Sequence, residues 1–254
     1  MNPKPLSGKH ALVTGGGTGI GAAAACFLSN YGCQVTVLGR RLEKLQEGLF
    51  DVEEGFAVVA DVTRDEELEA AFSKARERFG RIDILVNNAG VAKGGPFLKT
   101  PQSDWDEIFA VNVFAAAACT RLALPPMLEE GWGRVVNVAS IAGLRGSPYT
   151  TAYTASKHAL VGMTRSLALE TVKKGVTVNA ICPGYVDTPM TDRTVEAIQA
   201  KTGRSPEEAR AEVEKLGQQG RLLQADEVGS AIAFLCLPEQ AGINGASIPL
   251  GGEG

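Results

Sequence analysis

Short apolar runs alternate with segments of helical periodicity along most of the chain. The first run, His10–Thr14, is followed by apolar residues at helical spacing through 20–31, and a β-branched run occupies 34–38. This alternation predicts βαβ units and a parallel sheet with helices on both faces. Further strands are predicted at 56–60, 82–86, 134–139, 176–181 and 246–250, and helices at 42–50, 65–79, 104–128, 152–173 and 226–237.

The chain has no internal repeat and no change of composition typical of a linker. Residues 1–254 are therefore predicted to form a single α/β domain, a doubly wound parallel sheet. The least regular stretch, 185–221, lies between a predicted strand and a predicted helix and carries nearly balanced acids and bases. We interpret it as a helical lid; a solvated surface insertion is the alternative.

The net charge of −4 gives no basic surface that would attract nucleic acid or anionic lipid by bulk charge. No uninterrupted apolar run approaches the ~18 residues that a membrane span needs. Nine residues precede the first strand, which leaves no room for a secretory signal. We therefore expect a cytoplasmic protein with neither a nucleic-acid nor a membrane partner.

The five cysteines show no C-x-x-C spacing, and their odd number does not favour a disulfide framework. We interpret them as reduced and mostly buried thiols. The only histidines, His10 and His158, are too few for a zinc site or a histidine-based triad, so no metal is predicted. His158 is interpreted as a structural residue.

A glycine-rich turn follows the first strand and leads into a helix. With few side chains present, the backbone of the turn can approach a pyrophosphate closely, and the helix N-terminus offers free N–H groups and a favourable dipole. The alternative is a merely tight turn, but the glycines exceed what such a turn needs. The predicted nucleotide contacts here are Gly15, Gly17, Thr18, Gly19, Ile20 and Gly21.

Tyr153 and Lys157 lie four residues apart in a predicted helix and therefore share a face. An ammonium group beside a phenol favours the phenolate, so the pKa of Tyr153 is expected to fall below its ordinary value of about 10. Such a tyrosine can give or take a proton at a carbonyl or an alcohol. In isolation, an ordinary surface pair would be the better interpretation. Ser140 directly follows a predicted strand, at the sheet edge where ligands of open α/β sheets bind.

The order of these motifs resembles the short-chain dehydrogenase/reductase family, most of all its 3-oxoacyl reductases, over essentially the whole chain. The matching motifs are Gly15-x-x-x-Gly19-x-Gly21, Asn87-Asn88-Ala89-Gly90, Ser140, Tyr153-x-x-x-Lys157 and Pro183-Gly184. The resemblance implies a Rossmann-type domain that transfers hydride between a nicotinamide cofactor and a ketone or secondary alcohol. One departure is Leu250-Gly251-Gly252, since relatives usually carry an acid before the two glycines.

The resemblance also implies residue roles. Tyr153 is the acid/base, Lys157 lowers its pKa and contacts the nicotinamide ribose, and Ser140 polarises the carbonyl. Asn112 holds a water in a proton relay, and an asparagine inside a helix is mildly unfavourable, which favours a special role. Further implied cofactor contacts are Asp61 and Val62 beside the adenine, Asn88 on the adenosine side, Thr188 at the carboxamide, and Gly90, Pro183, Gly184 and Val186.

The choice of cofactor depends on Arg40 and Arg41, which follow the second strand where this fold faces the adenosine ribose. No acid is present there to bind the free 2′-hydroxyl of NAD(H), whereas a guanidinium suits the 2′-phosphate of NADP(H). We predict NADP(H), bound by Arg40, with NAD(H) as the alternative. The competing interpretation is a solvated helix start, since Thr18 stands where NADP-using relatives often add a second base.

The resemblance favours a 3-oxoacyl thioester as the small-molecule substrate. The alternative is an NAD(H)-dependent alcohol or hydroxysteroid dehydrogenase, and a more remote one is a nicotinamide-binding sensor without turnover. A small free β-hydroxy acid is disfavoured, because the relatives that act on such acids place polar anchors near Ala92, Ala142 and Thr150, two of which are alanine here. Small residues on the long helices, together with the resemblance, predict a homotetramer.

Overall fold

The structure is a computed structural model that describes residues 4–217 and 219–252. Within these residues one parallel sheet of seven strands has the order β3-β2-β1-β4-β5-β6-β7, as expected for a single-domain Rossmann-type fold. The strands are β1 His10–Thr14, β2 Gln34–Gly39, β3 Gly55–Val59, β4 Ile84–Asn87, β5 Gly133–Val138, β6 Val176–Pro183 and β7 Ser247–Leu250.

Helices cover both faces of the sheet. They are α1 Gly19–Asn30, α2 Leu42–Gly48, α3 Asp65–Phe79, α4 Gln102–Phe109, α5 Ala115–Glu130, α6 Thr151–Thr171, α7 Pro189–Thr202, α8 Pro206–Leu216 and α9 Ala225–Cys236. Short 3₁₀ turns occur at Phe97–Lys99, Ile141–Gly143, Val172–Lys174 and Pro238–Gln240.

Alternation along the strands creates an apolar layer on each face. In β1, Val13 joins the layer that contains Leu28 of α1 and Ile232 of α9. Its neighbour Leu12 joins the opposite layer with Phe72 of α3. Successive side chains of a strand point to opposite faces, so the almost continuous apolar sequence of β1 is what a sheet buried on both sides requires.

The strand order reverses between β1 and β4, which are paired neighbours in the middle of the sheet. In register, Val13 of β1 lies between Val37 of β2 and Val86 of β4. The glycine turn after β1 and the Asn87–Gly90 motif after β4 therefore leave the sheet side by side. A crevice at such a reversal is where open α/β sheets bind ligands.

The long helix predicted at 104–128 is wrong in one respect. Residues Ala110–Phe114 form a π-helical turn that separates α4 from α5 and contains Asn112. A π turn accommodates one residue more than an α-helical turn and often occurs at functional sites. On either side of it, Trp105, Phe109 and Phe114 form a row of rings with centroids 6.2 and 6.3 Å apart.

The predicted start of β4 at residue 82 is also wrong, because the side chain of Asp83 accepts a hydrogen bond from the backbone of β1. Its backbone N–H donates to the carbonyl of His10, and its carboxylate accepts the His10 N–H at 3.1 Å. The same carboxylate pairs with Arg81 at 2.7 Å. Regular pairing with β1 therefore begins at Ile84.

The helical stretch Gln102–Glu130 is long and apolar enough to cross a membrane by length and composition alone. The sequence expectation counted only uninterrupted apolar runs and missed this stretch. The core helix of a soluble protein meets the same criterion. Ile108, Cys119, Ala123 and Met127 of this stretch are buried in the domain.

The segment 185–221 forms two helices, α7 and α8, with a small apolar cluster of their own. Val195 of α7 packs there with Ala209 and Val213 of α8. A capping box between Ser205 and Glu208 starts α8.

The cysteines agree with the interpretation as thiols: Cys33, Cys119, Cys182 and Cys236 are buried and Cys26 is partly exposed.

Candidate active site

The glycine turn leaves no room for side chains. Gly15 and Gly19 have φ of +65° and +53°, which favour glycine, and a Cβ on Gly21 would overlap the carbonyl oxygen of Gly15. A Cβ on Gly17 would lie 2.8 Å from the carbonyl oxygen of Lys44, so packing against α2 also requires a glycine there. The result is a backbone cradle at the N-terminus of α1, with Thr18 as its N-cap residue, and such a cradle suits a phosphate group.

Asn88 fixes this turn from the neighbouring strand. Its side-chain amide donates to the carbonyls of Thr14 and Gly15 at 3.0 and 3.1 Å. The hydroxyl of Thr14 accepts the backbone N–H groups of Asn88 and Ala89, each at 3.0 Å. Both amide protons of Asn88 are therefore used to shape the cradle. Sequence reasoning missed Thr14, whose position at a strand end beside glycine was the available signal.

Tyr153 and Ser140 meet at the carboxyl edge of the sheet. The phenol of Tyr153 lies near enough to the Ser140 hydroxyl for that group to oppose the rise of its pKa. The Ser140 hydroxyl also lies 3.4 Å from the carbonyl oxygen of Pro183 and accepts the N–H of Ala142 at 3.1 Å. Residues separated by thirteen positions in sequence thus present two hydroxyl groups to one point.

Lys157 lies one helical turn beyond Tyr153 and is 4% exposed. Its ammonium donates to the carbonyl of Val138 at 2.9 Å and lies 5.7 Å from the centre of the Tyr153 ring. Burial lowers the pKa of Lys157 from 10.5 to about 8. The structure brings this amine to the tyrosine as the sequence spacing predicted.

The expected direction of the Tyr153 shift is wrong for this structure. Burial raises the pKa of the phenol, the nearby Tyr185 adds to the rise, and the Ser140 hydroxyl opposes it. Sequence spacing shows that Lys157 is near but does not show how much water the phenol loses on folding. Desolvation outweighs the neighbouring groups here.

Asn112 is 1% exposed in the π turn and is held on both sides of its amide. Its oxygen accepts the N–H of Val91 at 2.9 Å, and its nitrogen donates to the Val91 carbonyl at 3.0 Å and to Ser156 Oγ at 3.0 Å. The side chain therefore connects the segment after β4 to α6. This bracing accounts for a buried asparagine in a helical segment.

A ladder of buried polar side chains lies beneath these groups, and sequence reasoning missed it. Asn87 donates to Asn137 Oδ1 at 2.8 Å and to Thr120 Oγ1 at 3.0 Å. Asn137 donates to Thr164 Oγ1 at 2.8 Å. The ladder joins β4 and β5 to α5 and α6, and the sequence signal was one asparagine in each of two mainly apolar strands.

At the other end of the crevice, Asp61 is partly buried and Val62 is 8% exposed. Burial raises the pKa of Asp61, but hydrogen bonds from Thr63 and the nearby charge of Arg40 give a net lowering. Arg40 is exposed directly after β2. The structure therefore brings Arg40 and Asp61 to the same end of the crevice.

The segment after β6 closes the crevice opposite the glycine turn. Gly184 donates its N–H to the carbonyl of Leu250 at 2.9 Å, and Val186 forms an isolated bridge with Leu223. Thr188 approaches the glycine turn so closely that a Cβ on Gly19 would lie 2.9 Å from its methyl group. Gly90 lies on the other side, where an added Cβ would be 3.7 Å from Lys157 Nζ.

His158 lies outside this group, as expected. It is exposed, and its Nδ1 is 3.0 Å from the carbonyl oxygen of Thr154 in the preceding turn of α6.

A family model described as short chain dehydrogenase matches residues 9–199. The chain belongs to the short-chain dehydrogenase family. It is accordingly an oxidoreductase that acts on hydroxyl or keto groups of small molecules, and its family uses a nicotinamide cofactor.

Relatives of this short-chain dehydrogenase include a D-beta-hydroxybutyrate dehydrogenase of Cupriavidus necator, 40% identical over 95% of each chain. A 3-oxoacyl-(acyl-carrier-protein) reductase of Thermotoga maritima is 32% identical over 97% of this chain and 98% of its own. Among solved structures, an actinorhodin polyketide ketoreductase with NADPH is similar, with a TM-score of 0.91, 35% identity and 95% of each chain covered.

The buried Lys157 of this short-chain dehydrogenase predicts a pH-dependent stability. Its folded-state pKa lies below the unfolded value, so between pH 8 and 10.5 the unfolded chain binds more protons and stability rises with pH. Without cofactor, the free energy of unfolding of the parent should rise by about 3 kcal/mol relative to Lys157→Met across this window. Urea unfolding at a series of pH values measures the difference, and parallel curves would contradict the shift.

Proposed function

We propose that this chain transfers hydride reversibly between NADP(H) and a 3-oxoacyl compound, with a thioester as the first choice of substrate. The observation that carries the proposal is the convergence of Tyr153, Ser140 and Lys157 at the carboxyl edge of the sheet, beside the glycine cradle. A sensor without turnover has no need of this complete set of groups.

The glycine cradle fits a dinucleotide, because only backbone lines it and the α1 N-terminus points into it. Gly15 to Gly21 would hold the pyrophosphate, Asp61, Val62 and Gly90 would flank the adenosine, and Pro183, Gly184, Val186 and Thr188 would border the nicotinamide. Asn88 would act by holding the cradle in shape. The nicotinamide, when bound, supplies or accepts the hydride.

In this proposal the protein moves a proton while the oxygen of the substrate changes its charge. Tyr153 donates its phenolic proton to the carbonyl oxygen during reduction and takes it back during oxidation. Ser140 donates a hydrogen bond to the same oxygen. Lys157 holds the cofactor ribose and stabilises the phenolate with its positive charge. Asn112 holds the segment next to Lys157 in place, and a water beside it would return the proton to solvent.

NADP(H) is favoured by the exposed Arg40 at the adenosine end of the crevice. Its neighbour Asp61 already accepts hydrogen bonds from the N–H and hydroxyl of Thr63 at 3.0 and 2.7 Å. The guanidinium is therefore the group that remains for a 2′-phosphate. The similar ketoreductase with NADPH supports the same choice.

A 3-oxoacyl skeleton is favoured because one relative is named for a 3-oxoacyl group on acyl carrier protein and another for D-beta-hydroxybutyrate, whose oxidation at the hydroxyl group gives a 3-oxo acid. The thioester remains first because Ala92 and Ala142 provide no polar anchor for a free acid. The free acid is the second candidate, on the 40% identity to the hydroxybutyrate dehydrogenase. An NAD(H)-dependent alcohol or hydroxysteroid dehydrogenase is the remaining alternative.

The segment 185–221 is proposed as the substrate lid, since Leu216 and Gly217 at the end of α8 line a cleft with Tyr185.

We also propose a homotetramer. Phe114, the residue directly before α5, is 64% exposed, and Leu169 of α6 is 80% exposed. We propose that these two side chains are covered by a partner because they lie on the long helices that the family resemblance pairs between subunits, whereas the exposed Phe50 lies outside these helices. A cytoplasmic location remains a prediction from the sequence.

Replacing Tyr153 tests the catalytic role. Tyr153→Phe keeps the ring but removes the proton, so turnover should fall by about 10²–10⁴-fold while NADPH binding, measured by fluorescence titration, stays the same. Tyr31→Phe, at the end of α1, is the matched control and should keep full activity. A Tyr153→Phe variant within a few-fold of the parent would rule out this acid/base.

Cofactor preference tests Arg40. The parent should have the higher kcat/KM with NADPH, and Arg40→Ala should reduce the preference over NADH about tenfold to a hundredfold, the worth of ~1–3 kcal/mol for a charge-assisted contact. Arg41→Ala removes the same charge one residue later and should leave the preference unchanged. A parent that prefers NADH, or equal effects of the two substitutions, would show that Arg40 does not bind the phosphate.

Assembly is tested by light scattering at micromolar concentration, which should give four times the mass of one chain. Leu169→Asp places a charge on the exposed apolar face of α6 and should lower the mass. Phe50→Asp, at a position 89% exposed beyond α2, is the control and should leave the mass unchanged. A monomeric parent would refute the tetramer.

A further inference from the structure

A shallow, solvent-open cleft, whose enclosed space of about 10 Å³ is no larger than one water molecule, lies between the loop after β5 and the end of α8. Its apolar wall comes from Ile141, Leu216 and Leu223, and its polar wall includes Tyr185 and Arg145. Side chains of these two kinds can contact a short carbon skeleton with one polar end that lies along the cleft.

The cleft is continuous with the candidate active site. Ile141 directly follows Ser140, and Gly184, also in the lining, directly follows Pro183, whose carbonyl oxygen lies 3.4 Å from the Ser140 hydroxyl. Tyr185 is close enough to Tyr153 to raise the pKa of its phenol. A substrate whose reacting oxygen contacts Ser140 and Tyr153 can therefore extend its far end along this cleft.

The two arginines of the cleft differ in how they are paired. Arg221 forms a two-pronged ion pair with Glu227 at 2.7 and 2.8 Å and donates to the carbonyl of Leu222. Arg145, on the opposite wall, has neither an ion pair nor a side-chain hydrogen bond within residues 4–217 and 219–252. The positive charge of Arg145 is therefore not neutralised by an ion pair, whereas that of Arg221 is.

The acids nearest to the cleft are engaged elsewhere. Arg210 of α8 pairs with Asp187 at 2.8 Å, with Glu214 at 3.4 Å and with Asp192 at 3.7 Å. Arg145, in contrast, lines the same cleft as Tyr185 and lies close enough to lower the pKa of that phenol against the larger opposing effect of burial. A guanidinium that lines a cleft together with a tyrosine and apolar side chains suits an anionic ligand, because it binds carboxylates and phosphates through paired hydrogen bonds.

We propose that Arg145 is a specificity-determining residue that binds a negatively charged group of the substrate at the far end of this cleft. The inference rests on the proposed function, since it assigns the far end of the same substrate. The charge has two possible sources, the carboxylate of a free 3-oxo acid or a phosphate of a pantetheine thioester. Hydride transfer itself does not need Arg145.

Three substrates with one skeleton separate these sources: acetoacetate, acetoacetyl-coenzyme A and the neutral ethyl acetoacetate. Arg145→Gln should lower kcat/KM about tenfold to a hundredfold for the anionic substrate that the cleft accepts, mainly through KM. The neutral ester should change less than twofold, and Arg145→Lys should restore part of the loss. Arg193→Gln is the matched control, because Arg193 is an exposed arginine of α7 outside the cleft lining.

A loss confined to acetoacetate identifies a carboxylate, and a loss confined to the coenzyme A thioester identifies a phosphate. No loss with either anion, or an equal loss with the neutral ester, overturns the role of Arg145. A parent that reduces none of the three contradicts the proposed function instead. Calorimetric titration of the two anions into the parent with NADP⁺ then decides the inference, which fails if Arg145→Gln leaves anion binding unchanged or if the parent binds neither.

Discussion

The burial of one amine determines how the segments around the crevice meet. Lys157 donates to Val138 at the end of β5, and its own carbonyl oxygen would be only 2.8 Å from a Cβ on Gly143, so the turn that follows Ser140 packs directly on α6. Its ammonium also lies close to Gly90, after β4. A buried charge is stable only where polar partners surround it, so these segments cannot shift independently.

The polar ladder below the amine also depends on polar partners inside the protein, but its groups are neutral. Asn87 donates to Asn137 and Asn137 donates to Thr164 across two strands and a helix, although the Asn87 Oδ1 atom is buried without a hydrogen-bond partner among the described residues. Removing one member would leave the others buried without a partner, at a cost of about 1–3 kcal/mol per group. A network of this kind allows one arrangement of the strands and helices, and so it orients Tyr153 and Ser140 on top of it.

Local sequence patterns predicted the fold well where one periodicity acts alone. His10–Thr14 and Asp65–Phe79 have the predicted bounds, since a short, almost continuous apolar run fixes the first and an amphipathic face with an acidic first turn fixes the second. The same patterns, with the family resemblance, indicated which residues meet in the crevice. They did not indicate the π turn, the later start of β4 or the raised pKa of Tyr153. Each of these depends on partners far away in sequence, such as Val91 for Asn112 and His10 for Asp83.

The π turn also sets the rotational phase between α4 and α5. One additional residue turns the following helix by about 100° relative to a continuous α-helix. Asn112 can thereby point inward to Val91 while Phe114, two positions later, stays on the outer side with Phe109. A continuous α-helix would also place residues 112 and 114 about 200° apart, but it would separate Phe109 from Phe114 by about 140° and so remove their contact. The position of Asn112 in the crevice and the contact between the outer aromatic rings therefore both depend on the additional residue of the π turn. Deleting one residue there would alter both at once.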